Sequence, residues 1–168
     1  MRIYNLSKKT RDELAQNLSD CFGWKRTKLS DLKAAENEDP SFTILFDTSE
    51  NLFLLKVAQS GNSTLRYVPL LRDEQVLPLL PVVIVDSGAV KFVCNGANVM
   101  RPGIVKIGGQ FRKSDLVVIH EEKYGKAISV GRALESSQIV ENMQRGTAIE
   151  NLHYVGDRYW EALKQIVH

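Results

Sequence analysis

The chain has 168 residues, 43% of them apolar and 25% charged, with a formal net charge of +2; this is room for one large domain or two small ones and an ordinary globular composition. No apolar run approaches the roughly 20 residues needed to cross a bilayer, and the longest, 76–85, is broken by Pro78 and Pro81. Cys21 and Cys94 lack a CxxC partner and the histidines are scattered at 120, 153 and 168, so no disulfide framework, metal site or cofactor is expected.

The opening segment, 1–5, lacks the apolar core and cleavage site of a secretory signal, and a soluble, cytoplasmic protein is expected. Thr10 and Glu13 fit a capping box. Leu14, Leu18 and Phe22 then recur at helical spacing up to Gly23, which predicts an amphipathic helix. A second short helix is predicted over 29–37, stopped by the segment 38–40. The period changes after that. The runs 42–46 and 52–57 are β-rich and flank the polar 47–51, a hairpin pattern, and a turn at 60–63 leads into another strand at 64–68. Pro69, Pro78 and Pro81 punctuate the exit. An N-terminal α/β domain is therefore expected over 1–80 and a second domain over 81–168.

In the second half, 82–85 reads as a strand. Asp86 or Ser87 can N-cap a brief helix over 89–94, and Asn95-Gly96 supplies its stop. The segment 97–103 is a loop turned by Pro102-Gly103. Strand-like runs at 104–107, 116–120 and 127–134, joined by glycine-bearing loops, suggest a small barrel. A helix at 137–143, a strand at 149–154 and an amphipathic helix at 157–167 complete the chain. The expected class is α+β. Charge is unevenly spread: within 86–113, Lys91, Arg101, Lys106, Arg112 and Lys113 face Asp86 alone, and such a concentration attracts phosphates even in a nearly neutral molecule.

The segment 85–104 joins an Asp-x-Gly-Ala start to its helix (Asp86, Gly88, Ala89), a glycine at the helix end (Gly96) and a Pro102-Gly103-Ile104 exit into a strand. In this it resembles the PUA domain, as do the later strands around 111–117 and 127–133. The stretch from Gly88 through Met100, with Pro102-Gly103 and the motif at 149–154, is similar to the malignant T-cell-amplified sequence family, in an archaeal-type form. That resemblance implies a PUA-type β-barrel (pseudobarrel) with short helices, preceded by a small N-terminal domain, and an RNA-binding surface on the short helix and the loop after it.

On that surface Lys91 and Arg101 are candidate phosphate contacts. Gly96 and Gly103 would admit RNA close to the backbone, Asn98 would read a base edge and Met100 would pack on a base face. Arg112 and Lys113 are candidates for a second phosphate on the same flank. Composition alone also fits a plain turn with solvated cations and a core Met100; the resemblance favours RNA. Asn151 and His153 share one strand face by alternation and suit a structural role, as do Trp24 and Trp160. His120-Glu121-Glu122 and Cys94 are the only hints of catalysis, without a phosphate loop, nucleophile elbow or metal spacing around them.

The expectation is thus a non-catalytic RNA-binding protein of the translation apparatus. By resemblance its target is structured RNA, a tRNA acceptor end or small-subunit rRNA, with the ribosome or a translation-factor protein as a further partner and no membrane. An accessory factor in RNA modification or ribosome assembly is the alternative, and a protein–protein adaptor is the alternative of another class.

Overall fold

In the computed structural model, which describes residues 1–25, 29–38, 41–58, 61 and 65–167, the chain divides into two compact units, Met1–Leu79 and Leu80–His168. In the first, helix α1 spans Lys8–Phe22, and its N-cap is Ser7, whose Oγ accepts the Thr10 amide. The capping box expected at Thr10 is displaced because Thr10 already lies inside the first turn. Gly23 ends the helix in the left-handed region at φ 68°, where glycine meets no steric penalty. Leu14 and Leu18 are fully buried, each worth roughly 1.5–3 kcal/mol of transfer free energy. They pack with Trp24, Leu32, Ala34, Leu45, Leu54 and Tyr67.

The sheet beneath runs β1 (Arg2–Asn5), β2 (Lys33–Glu38), β3 (Ser41–Asp47), β4 (Leu52–Lys56) and β5 (Tyr67–Pro69), in chain order and antiparallel throughout. The hairpin expected around 47–51 is β3–β4, with Phe46 opposite Phe53 and Asn51 at positive φ in the turn. The helix expected over 29–37 is instead a turn followed by β2. Lys33-Ala34-Ala35-Glu36 favours a helix locally, yet Ala34 and Ala35 are fully buried and the segment pairs on both sides. Small side chains and two ladders override propensity here. Most of the turn expected at 60–63, and Asp39 and Pro40, lie outside the described residues.

The second unit is a curled six-stranded half-barrel of order β7-β11-β10-β9-β6-β8, with α2 (Ser87–Val93), α3 (Ser137–Asn142) and α4 (Arg158–Ile166). Its strands are β6 (Val82–Val85), β7 (Val99–Met100), β8 (Ile104–Gly108), β9 (Leu116–Glu121), β10 (Ala127–Ala133) and β11 (Thr147–Tyr154). The β6–β9 pair is parallel and the others are antiparallel. Val83, Val85, Val117, Ile119, Val130 and Ile149 are at most 1% exposed and fill its interior. At Gly131, where the β10 register shifts, a Cβ would lie 2.7 Å from the Glu150 carbonyl oxygen, so only glycine lets the two strands close. No helix among the described residues is long and apolar enough to cross a membrane.

Candidate functional site

Asp86 starts α2 by accepting the Ala89 amide at 2.9 Å, while its own N–H donates to the Gly103 carbonyl at 2.9 Å. These two bonds lay the segment 97–103 against the helix. The approach is so close that a Cβ on Gly103 would sit 3.1 Å from the Ala89 Cβ. Gly96, at φ 94°, turns the chain out of α2 with the Tyr154 ring packed 3.2–3.3 Å from where its Cβ would be.

Between α2 and this loop lies a groove of about 670 Å³ whose lining includes Gly88, Phe92, Asn98, Met100, Pro102 and Gly103. Phe92 is 58% and Met100 48% exposed, so two large apolar side chains face solvent at one concavity. Exposed apolar surface gathered in one place marks a ligand or partner site more than single exposed residues do. Lys91, also exposed, holds its Nζ 5.1 Å from the Phe92 ring centroid and so stands beside the groove.

Asn151 ties the frame together. Its Nδ2 donates to the carbonyls of Val93 and Ala97, both at 3.0 Å, its backbone N–H donates to Asn98 Oδ1 at 3.0 Å, and its Oδ1 accepts the Ser129 hydroxyl at 2.9 Å. One carboxamide thereby joins the end of α2, the loop and two strands. Below it, the fully buried His153 meets Asp157 at 2.8 Å, and Asp157 caps α4 through the Trp160 amide and also accepts the Tyr154 amide. Burial alone would raise the Asp157 carboxyl; the bond from His153 and the two amides outweigh it and hold it below the usual range.

The eight residues singled out from the sequence separate on inspection. Asn98, Met100 and Gly103 line the groove, and Lys91 stands beside it. Gly96 shapes the turn. Asn98 spends its side-chain oxygen on Asn151, which leaves it the amide nitrogen to offer a base. Arg101 is engaged in the protein: Nε donates to the Val140 carbonyl at 2.6 Å, Nη1 to Ile104 at 3.0 Å and Nη2 to Glu141 at 3.4 Å. It ties the C-terminal end of α3, where the Val140 carbonyl also accepts the Met143 amide at 3.2 Å, to the start of β8, so the guanidinium offered to a phosphate is held by protein carbonyls in the free chain. Arg112 and Lys113 do not join the groove's lining. They lie in the β8–β9 connection, which bonds to Ala133 at the C-terminal end of β10. Phe92 is the groove residue that sequence reading missed; its offset from the buried Val93 on a capped helix was the available signal.

Cys94 follows α2 and His120 lies in β9. Burial pushes the Cys94 thiol up, away from the thiolate a nucleophile needs. Burial also lowers the His120 imidazole, against the opposing charge of Glu121. No cluster of His, Cys, Asp and Glu among the described residues is placed to hold a metal ion.

The PUA domain family model matches residues 81–155. An uncharacterized protein of Methanocaldococcus jannaschii is 40% identical over 99 residues, covering 53% of this chain and 61% of that protein. Translation machinery-associated protein 20 of Saccharomyces cerevisiae is 35% identical over 86 residues, 48% of each chain. Malignant T-cell-amplified sequence 1 of Rattus norvegicus is 37% identical over 98 residues, 56% of this chain and 54% of that one. The matches thus span about half to three fifths of these relatives. Among solved structures, a PUA domain of Aeropyrum pernix K1, crystallised as a tartrate complex, superposes with a TM-score of 0.81 at 26% identity over 97% of this chain and 91% of that one.

Proposed function

We propose that this chain, whose residues 81–155 match the PUA domain family model, is a non-catalytic RNA-binding protein of the translation apparatus. In this reading structured RNA, a tRNA acceptor end or small-subunit rRNA, lies along the groove between α2 and the loop 97–103. The relatives named for the translation machinery support the setting. The observation that carries the reading is the groove itself, where the exposed Phe92 and Met100 face a channel beside Lys91.

The chemistry follows from that geometry. An unpaired base gains roughly 1–3 kcal/mol from stacking on an aromatic side chain, and Phe92 and Met100 supply apolar faces. Gly88 and Gly103 line the groove with bare backbone, against which a sugar or base edge can lie. Lys91 neutralises a phosphate without reading sequence. Asn151 and Arg101 act through the frame, holding the loop and α3 so that the groove exists before RNA arrives.

The test is a binding titration of the full chain against total tRNA, small-subunit rRNA and a non-specific RNA over a range of salt. Tighter binding to tRNA or rRNA that persists at physiological salt, and that falls about tenfold or more in Phe92→Ala, supports the proposal and chooses the target. Weak binding equal for all three RNAs, lost with salt and indifferent to Phe92→Ala, overturns it in favour of a protein–protein adaptor.

A further inference from the structure

The turn joining β9 to β10 reads Glu121-Glu122-Lys123-Tyr124-Gly125-Lys126, and the groove leaves it unused. It is held from within. The Glu121 carboxylate, 9% exposed, accepts the amides of Lys123 at 2.7 Å, Tyr124 at 2.8 and 3.0 Å and Lys126 at 3.1 Å. These bonds, that of Lys126 foremost, hold its carboxyl below the usual range against the opposing effect of burial. Gly125 takes φ 67°, and the backbone closes through Gly125 N–H to the Glu121 carbonyl at 3.1 Å and Glu121 N–H to the Lys126 carbonyl at 2.9 Å.

The turn is also fastened to one end of the groove. Glu122 N–H donates to the Val85 carbonyl at 3.1 Å, and Glu122 Oε1 accepts the Ser87 amide at 3.2 Å. Asp86 and Gly88, on either side of Ser87, line the groove. Both carboxylates are therefore occupied with backbone amides. The outward face carries Tyr124, at 71% the most exposed large apolar side chain among the described residues, with Lys123 Nζ 5.1 Å from its ring centroid and the exposed Lys126 beyond.

A ring so exposed contributes little to folding, yet its backbone is fixed by five short hydrogen bonds, so binding to it forfeits little backbone freedom. An aromatic face with one ammonium group beside it and a second exposed lysine two residues on suits a flat base flanked by phosphates; an acidic peptide would use the lysines and waste the ring. We propose that Tyr124, flanked by Lys123 and Lys126, is a second RNA subsite, which stacks an unpaired base of the strand leaving the groove at the N-terminal end of α2. The inference rests on the RNA reading of the groove.

Fluorescence anisotropy of the full chain with fluorescein-labelled oligo(A), and competition with total tRNA, tests it. Tyr124→Ala is expected to weaken binding about tenfold without changing the salt slope, whereas Tyr124→Phe and Tyr124→Trp keep wild-type affinity, because stacking needs only a ring. The Y124W protein should gain an emission component that RNA quenches. The double change Lys123→Ala with Lys126→Ala should flatten the log–log salt dependence by about 0.7 per lost contact. All variants should melt with the wild type, since the side chains changed are exposed. If Tyr124→Ala binds as tightly as wild type while Phe92→Ala loses affinity, the subsite is overturned and the groove stands. If the wild type binds neither RNA better than a non-specific one, both fall together.

Discussion

Replacing Arg101 by lysine separates a structural clamp from a phosphate contact, because lysine keeps the charge and loses the fork. The guanidinium donates through three nitrogens to the carbonyls of Val140, Ile104 and Glu141. A hydrogen bond from a charged donor contributes about 1.5–3 kcal/mol, and a single ammonium would retain one of the three. The bond to Glu141 is long and exposed, so the net loss rests mainly on one of the two shorter bonds and comes to about 2–3 kcal/mol. At about 4–8 °C per kcal/mol for a unit of this size, Arg101→Lys should melt on the order of 10–20 °C lower. Urea unfolding followed through Trp160 fluorescence, in a Trp24→Phe background, would read it within the second unit. RNA binding by the folded variant should keep the wild-type salt slope. If Arg101→Lys instead unfolds with the wild type, or if Arg101→Ala folds normally and flattens the salt slope, the clamp assignment is wrong and the guanidinium serves RNA.

Three further outcomes follow from the packing. Gly131→Ala should destabilise the fold by at least the roughly 1–3 kcal/mol typical of overpacking, read as a lower urea midpoint, because the new methyl meets the Glu150 carbonyl and the Ile149 side chain; an unchanged midpoint would mean the strands part freely. Asn151→Asp points an oxygen at the carbonyls of Val93 and Ala97 in place of the donor, and should cost about 2–4 kcal/mol and weaken RNA binding together, checked by melting and titration. Asp73, 3% exposed while accepting the amides of Phe53, Val76 and Leu77, is pushed up to about 6 by burial, against the pull of those bonds. The folded protein then holds this proton more tightly than the unfolded chain. Its contribution is full below about pH 4 and is lost as pH rises through about 6, roughly 3 kcal/mol over two units. Unfolding followed through Trp24 in a Trp160→Phe background at pH 4 and pH 7 should show that decline, and Asp73→Asn should flatten it; a difference unaltered in Asp73→Asn would refute the assignment.

How much of this was legible in the residues varies with the range of the forces involved. Local chemistry was readable: the Asp86 cap, the glycine stops at Gly23 and Gly96, the β3–β4 hairpin and the short strands and helices of the half-barrel each depend on a few neighbours along the chain. The segment 33–38 was not, because its strand state comes from partners at 2–5 and 41–46 rather than from its own helix-favouring residues. β1 was missed for a related reason, since four exposed residues carry no hydrophobic period.

The sequence by itself determined the class, the capped helix and the glycine-framed loop that mark the groove, for these follow from backbone preferences that few residues can meet. Only the tertiary structure decided which side chains reach it. Arg101 and Arg112 look alike in a charge count, yet one guanidinium donates to carbonyls 39 and 40 residues away, while the other is 91% exposed beside Asp115. Asn151 looks like one polar residue in a strand, and becomes the joint of the site only when sheet closure brings Val93, Ala97 and Asn98 within 3.0 Å of it. Hydrogen bonds are short-ranged and directional, so what a polar side chain does is set by the groups folding places around it.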